Sequence, residues 1–310
     1  MKVRKAVIAA AGWGTRFLPV TRTQPKEMLP LLNKPLIQYA VEEVTACGVE
    51  LVVIVTAMGK QAMEDYFDRH SELERLLEGN GNTRLVEETR NLCNAADICF
   101  VRQKGHLSLG HAVFAARRII GDEPFILALP DDIFEQREQV LKQMLDTYQV
   151  YQGSVIAVRR VSKAEVSRYG IVEPHRIADR TYRINRLVEK PMPDDAPSDL
   201  AVMGRYVLTP EIFQTLSYTR PGRNGEIQLT DALNNLSQHD AIFGYEFDGE
   251  RYDAGTLAGW LETNMVFALR DSELGAEMRE RLAHRLSPVC PESEEKKILT
   301  AVGHGRGKIS

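Results

Sequence analysis

The chain predicts an α/β fold, a mostly parallel central sheet with helices on both faces. Three observations carry this expectation. Short apolar runs alternate with helical patterns through the first half, as βαβ units require. The runs are shorter than a typical helix, and several are rich in β-branched residues. The first run is followed at once by small residues and glycines, at the carboxyl end of a strand, where α/β sheets bind ligands.

Taken in order, Lys5 to Ala10 reads as a buried strand. Leu36 to Cys47 places Leu36, Ile37, Ala40, Val41, Val44 and Cys47 on one helical face. Gly48 then stands where a left-handed cap is expected. Leu51 to Thr56 is the next strand, and Lys60 to His70 a helix followed by a charged helical stretch from Ser71 to Leu92. A strand at Ile98 to Arg102, a helix at His111 to Ile120 and a strand at Pro124 to Leu129 continue the alternation.

The second half changes character. Short strands are expected at Ser154 to Val158, Ile171 to Glu173, Arg183 to Glu189 and Ala201 to Leu208, with helices beginning near Pro210 and Thr230. This reads as an α+β extension covering one edge of the parallel sheet. Helices are expected at Thr256 to Leu269 and at Ser272 to Leu286. The tail from Ser287 to Ser310 combines Pro288, Pro291, a charge cluster and the run Gly303 to Lys308, a composition expected to be disordered.

A composition of 44% hydrophobic and 26% charged residues is ordinary for a globular protein with a sizeable core. Lys+Arg at 39 against Asp+Glu at 43 gives a net charge of −4. That balance argues against nucleic acid as the main partner, since backbone binders carry a basic surplus. A local basic cluster can still cradle a small phosphorylated substrate. Cys47, Cys93, Cys99 and Cys290 form no C-x-x-C pair, so they read as buried or incidental thiols of a reducing compartment rather than zinc ligands or a redox pair. No stretch reaches membrane-spanning length and no secretory apolar region follows the basic start. The expected location is cytoplasmic.

Ala11-Gly12-Trp13-Gly14-Thr15-Arg16 lets backbone N–H groups approach a phosphate or a flat base. By itself G-x-G after a strand also describes a tight turn or a dinucleotide fingerprint. It is neither G-x-G-x-x-G nor a P-loop, which argues against NAD and Walker-type chemistry. Pro25-Lys26-Glu27-Met28-Leu29-Pro30 puts a second cation near the same loop. Asp131 follows the apolar strand Phe125 to Leu129, so its carboxylate should emerge at the strand's carboxyl end, where a hard oxygen suits Mg²⁺. In isolation an Asp there also reads as a turn residue, Arg16 and Lys26 as solvated cations, and Glu189-Lys190 as a surface pair.

The glycine segment together with Pro25–Pro30 resembles the signature of the sugar-nucleotide pyrophosphorylases, most closely the bacterial UTP–glucose-1-phosphate uridylyltransferases. The resemblance continues in order through Lys34-Pro35-Leu36-Ile37-Gln38-Tyr39, Gly110-His111-Ala112-Val113, Leu129-Pro130-Asp131-Asp132 and Val188-Glu189-Lys190-Pro191. It extends to Gly204-Arg205-Tyr206, Glu226-Ile227-Gln228-Leu229-Thr230-Asp231 and Tyr252-Asp253-Ala254-Gly255, covering about residues 3 to 270.

The resemblance implies a Rossmann-like nucleotidyltransferase fold. Residues 1–270 would form one catalytic domain, about 1–150 its nucleotide half and about 151–255 its sugar-binding half. Residues 271–286 would be a C-terminal helix and 287–310 a tail. The implied reaction is attack by glucose 1-phosphate on the α-phosphorus of UTP, giving UDP-glucose and pyrophosphate with Mg²⁺. Positioning and charge neutralisation dominate such a reaction, with no covalent enzyme intermediate.

By the same resemblance Arg16 and Lys26 are the catalytic cations. Ala11, Gly12, Gly14, Thr15, Gln103 and Gly110 hold the nucleotide, with Gln103 reading the base and Gly110 leaving room for its ring. Gly170, Glu189, Lys190 and Gly204 hold the sugar phosphate, with Tyr169 beside them. Asp131 and Asp253 are the metal ligands, Asp132 a neighbour and His111 a structural histidine. A homo-dimer or homo-tetramer is implied. The chain departs from the family pattern at Ala9, Ala254 and Ser108, where Pro, Cys and Gly are usual, and Ser108 bears on base selectivity or loop motion. Open alternatives are another nucleotide or hexose 1-phosphate, and a non-catalytic regulatory paralogue.

Overall fold

The computed structural model describes residues 2–105, 108–135, 139–222 and 225–286. The chain divides into two compact units, Met1–Trp260 and Leu261–Ser310. Both the 1–150 and 151–255 portions fall in the first.

The strands are β1 (Lys5–Ala9), β2 (Pro30–Leu31), β3 (Lys34–Pro35), β4 (Leu51–Thr56), β5 (Asp97–Arg102), β6 (Phe125–Ala128), β7 (Asp132–Phe134), β8 (Ser154–Arg160), β9 (Gly170–Ala178), β10 (Thr181–Glu189), β11 (Leu200–Leu208), β12 (Ile242–Glu246) and β13 (Arg251–Asp253). Nine of them form one sheet in the order β5-β4-β1-β6-β11-β8-β12-β10-β9. From β5 to β6 every pairing is parallel. Strand β11 then runs antiparallel to both β6 and β8, and β12 lies parallel to β8. The expected α/β class holds, with one difference in the second half. Its strands extend the parallel sheet through β11 instead of covering its edge, because β11 satisfies the backbone groups that β6 would otherwise leave unpaired.

The helices are α1 (Leu36–Ala46), α2 (Gln61–Phe67), α3 (Ser71–Gly79), α4 (Thr83–Asn94), α5 (Ser108–Ala115), α6 (Arg117–Ile120), α7 (Val140–Tyr151), α8 (Glu211–Tyr218), α9 (Leu229–Leu236), α10 (Leu257–Arg270) and α11 (Gly275–Leu286). Within the first unit, helices cover both faces of the sheet. Ala6 and Ile8 of β1 pack with Ile37 and Val41 of α1, Met63 of α2 and Met144 of α7. Val7 turns the other way, towards Val113 of α5, Ile212 of α8 and Leu233 of α9. A strand buried on both sides must be apolar at consecutive positions, which is why β1 and β4 read as unbroken runs. Each such side chain contributes ~1.5–3 kcal/mol.

Gly48 caps α1 as expected, at φ +83°, with its N–H donating to Thr45 O at 2.9 Å. The charged stretch from Ser71 to Leu92 is two helices, broken at Asn80-Gly81-Asn82, where Gly81 takes φ +73°. Helix α7 and strand β12 add to the expected elements. The expected tail at 287–310 and Cys290 lie outside the described residues, and Cys47, Cys93 and Cys99 are free thiols. Among the described residues no helix is long and apolar enough to cross a membrane.

Candidate active site

Two adjoining clefts open at the carboxyl ends of β1 and β6. The first, of about 470 Å³, is lined by Ala11, Gly12, Gly14, Thr15, Arg16, Lys26 and Gln103. The second, of about 480 Å³, is lined by Gly170, Glu189, Lys190, Gly204 and Asp253. Arg16, Leu129 and Asp131 belong to both, so one continuous groove joins them. Of the sequence-predicted site residues, only Gly110 lines neither cleft.

The glycine segment leaves β1 with Ala10 N donating to Val55 O at 2.9 Å. Gly14 turns the chain at φ +68°, and Phe17 N and Thr21 Oγ1 both donate to Gly14 O. A Cβ at Gly14 would come within 3.0 Å of Thr21 Cγ2 and 3.1 Å of Lys26 Cβ, so the turn and the approach of Lys26 both require glycine. Beneath the loop a buried ion pair fixes it. Lys60 Nζ donates to both carboxylate oxygens of Glu27, at 2.8 and 2.7 Å, and to Ala10 O at 2.6 Å. Burial pushes Glu27 up from its ordinary range and Lys60 down from its own, and the two charges oppose both shifts.

Lys26 reaches across the groove to Asp131, with Nζ 2.6 Å from Oδ2. Burial disfavours the ionised carboxyl of Asp131, but the charge and hydrogen bond of Lys26, with Arg251 behind them, hold it below its usual range. Burial likewise disfavours the ammonium of Lys26, and Asp131 and Glu27 hold it above its usual range. Both groups therefore stay charged at neutral pH. Arg16 points to the same place, its Nη1 3.4 Å from Gly255 O.

Strand pairing brings the second carboxylate in. Strand β13 lies antiparallel to β7, with Asp253 opposite Asp132. A Cβ on Gly255 would lie 2.7 Å from Asp131 Oδ2 and 3.0 Å from Asp253 Oδ1, so two carboxylates converge on one spot beside the shared part of the groove. Among the described residues no group of three or more His, Cys, Asp or Glu could hold a metal alone. Two carboxylates completed by substrate phosphates are the usual donor set for Mg²⁺, and the pair fits it. Asp132, which lines the second cleft, pairs with Arg251. Burial raises its carboxyl, opposed by Arg251.

Gln103 directly follows β5, its amide Nε2 donating to Ser108 O at 3.1 Å and lying 2.9 Å from His111 Nδ1. Burial and Arg117 lower the His111 pKa, so Nδ1 is free to accept. Ser108 adopts φ +70°, a conformation glycine takes without cost, and its Oγ donates to Ile227 O at 2.5 Å. This departure from the family pattern exchanges backbone freedom for a hydrogen bond. Gly110 has a different reason to lack a side chain. A Cβ there would stand 2.5 Å from Ile227 O, so the residue lets α5 approach that backbone.

In the second cleft Glu189 Oε2 accepts from Thr230 Oγ1 at 2.6 Å, and Lys190 Nζ lies 3.2 Å from Glu189 Oε1. Gly170 packs against the same pair; a Cβ would sit 3.3 Å from Thr230 Oγ1 and 3.4 Å from Glu189 Oε2. At Gly204 a Cβ would overlap the Asp132 carboxylate. Sequence reasoning missed Lys60, Glu27 and Arg251. Glu27 sat inside a quoted motif with no role assigned to it, and the other two carried no local signal.

The model of the nucleotidyl transferase family matches residues 5–269. The chain is 49% identical to the UTP–glucose-1-phosphate uridylyltransferase of Bacillus subtilis over 88% of its own length and 94% of that protein. A UDP-glucose pyrophosphorylase solved in complex with UDP-glucose superposes with a TM-score of 0.78 at 45% identity, covering 86% of this chain and 98% of that one. A UTP-bound UGPase from Acinetobacter baumannii gives 0.84 at 35% identity, covering 91% and 99%.

Proposed function

The chain belongs to the nucleotidyl transferase family, and from that premise we propose that it transfers the uridylyl group of UTP to α-D-glucose 1-phosphate, giving UDP-glucose and pyrophosphate. The observation that carries the reading is the continuous groove whose two ends share Arg16 and Asp131. A phosphate held at each end would meet at these residues.

In the step itself an oxygen of the sugar phosphate forms a bond to the α-phosphorus of UTP. The bond to the bridging oxygen breaks, and pyrophosphate leaves with the electron pair. Two polyanions must be held in line, so positioning and charge neutralisation supply most of the acceleration. Arg16 and Lys26 meet the triphosphate and the transferring phosphoryl group, while the N–H groups of Ala11, Gly12, Gly14 and Thr15 approach the phosphates. Gln103 meets the imide N–H of uracil with its amide oxygen, its Nε2 being held by Ser108 O and His111 Nδ1. Glu189 takes sugar hydroxyls and Lys190 the sugar phosphate, beside Gly170 and Gly204. Mg²⁺ would be held by Asp131 and Asp253, and when bound it neutralises charge on the phosphates. The phosphorylated substrates support a cytoplasmic reaction, and the family resemblance a homo-dimer or homo-tetramer.

A nucleotide-by-sugar panel with Mg²⁺ present and absent tests the reading. UTP with glucose 1-phosphate should rank first and require the cation. Another pair ranking well above it would overturn the assignment, and pyrophosphate release by the purified chain excludes a non-catalytic regulator.

A further inference from the structure

Arg205 is fully buried, the largest side chain so placed among the described residues. It stands on β11, opposite Ala128 of β6. All five of its N–H groups are used. Nη1 donates to Leu129 O at 2.8 Å and to Gly204 O at 3.1 Å. Nη2 donates to Asp132 O at 2.9 Å and to Glu43 Oε2 at 2.7 Å, and Nε to the same Oε2 at 3.0 Å. Phe134 covers one face of the guanidinium, 4.7 Å from its carbon.

The two carbonyls from Leu129 and Asp132 bracket Pro130-Asp131. That segment leaves β6 and turns into β7, and Asp131 is its midpoint in the groove. The remaining backbone bonds of the turn are few: Asp132 N donates to Leu129 O at 3.2 Å, Leu129 N to Gly204 O at 2.9 Å and Ala254 N to Asp131 O at 2.8 Å. Glu43 ties the same guanidinium to α1. Neither Arg205 nor Glu43 lines the groove, so neither touches a substrate.

We propose that Arg205 is the positioning residue for Asp131, setting the direction of its carboxylate by clamping the carbonyls on either side of it, with Glu43 as its counter-charge. The proposal rests on the reading of Asp131 as a metal ligand. A planar fork with five donors in fixed directions is what the clamp requires, and a lysine, with three donors on one nitrogen, cannot reproduce it.

The test compares the full-length protein with Arg205→Lys, using Mn²⁺ binding in the presence of UTP, read by electron paramagnetic resonance, beside steady-state kinetics. Outer partners of metal ligands affect metal affinity or activity by about 10–100-fold. Arg205→Lys should therefore weaken Mn²⁺ binding and lower kcat by about that factor, with little change in the KM for UTP. In an Asp131→Asn background the same substitution should add almost nothing, because both act through one group. Should Arg205→Lys not fold, Glu43→Gln keeps the acceptor's shape without its charge, and should weaken Mn²⁺ binding in the same direction by less. Unchanged Mn²⁺ affinity, or a loss that adds in full on Asp131→Asn, overturns the proposal. A wild-type protein that turns over its substrates without any divalent cation overturns the metal reading as well, which separates the two failures.

Discussion

Replacing Lys60 by methionine isolates the ion pair beneath the glycine loop. The substitution takes from the buried Glu27 carboxylate its hydrogen-bonded counter-ion, leaving only the more distant charge of Lys26, and takes the donor away from Ala10 O. An unpaired buried carboxylate protonates instead of staying charged. At pH 7, two and a half units above its ordinary value of 4.5, that protonation costs ~3.4 kcal/mol at 1.36 kcal/mol per unit. The figure agrees with the ~3–5 kcal/mol typical of breaking a buried pair from one side.

The pH dependence follows from the same group. Glu27 has a folded pKa raised by burial, so its folded state binds the proton more tightly than its unfolded state. The stability contributed is present at low pH and is lost as pH rises through the folded value. Without Lys60 that value rises further. The deficit of the variant should accordingly shrink by up to ~2.7 kcal/mol between pH 7 and pH 5. Urea unfolding of wild type and variant at both pH values measures it. Replacing Glu27 by leucine in the same variant should recover most of the loss, since an apolar pair is often neutral against a buried ion pair. A Lys60→Met variant as stable as wild type, or one with the same deficit at pH 5 and pH 7, would refute the account.

The remaining expectations concern the groove. Asp131→Asn should lower kcat by about 100-fold or more, since the charge stabilisation of a held metal is worth several kcal/mol; near-normal turnover at saturating Mg²⁺ would count against the ligand assignment. Lys190→Ala removes a charged hydrogen bond worth ~1.5–3 kcal/mol and should raise the KM for glucose 1-phosphate by about tenfold or more, with a smaller effect on UTP. The opposite pattern in the two KM values would mean that the sugar end is misassigned. His111, lowered from 6.5 by burial and Arg117, loses its acceptor nitrogen as pH falls through its folded value. Its contribution to stability falls with it, and the KM for UTP should rise on acidification; a UTP KM that stays flat while the His111 ring is seen by NMR to gain its proton would remove it from the support of Gln103.

Much of this molecule is legible in its sequence. Runs such as Val52 to Val55 are buried on both faces, so local composition alone gives strand and sheet type. Strand β12 escaped because Gly244 interrupts it, and glycine weakens a strand reading. The structure explains the glycine: a Cβ there would lie 2.8 Å from Ile184 Cδ1 on the neighbouring strand. Helix α7 escaped because Val140, Thr147, Tyr148 and Val150 are poor helix formers, and its packing of Leu141 and Met144 on the sheet decides the matter. In the groove, glycines and charged motifs at strand ends were readable, because ligand chemistry concentrates there. Lys60 with Glu27 and Arg205 with Glu43 were not, since they join positions 33 and 162 residues apart. Such pairs exist only once the sheet has been assembled.

Strand β11 has a mechanical consequence. It is hydrogen-bonded to β6, which carries Asp131 at its end, and on its other side to β8, with a further link to β9. The two ends of the groove therefore share strand β11, whose ladder with β8 shifts register between Val202 and Tyr206, beside Gly204. Rotating one end against the other would tear a ladder of backbone hydrogen bonds from a water-free interior. The separation of the two ends is thus set by strand pairing, and the register shift beside Gly204 is the place where that pairing can give.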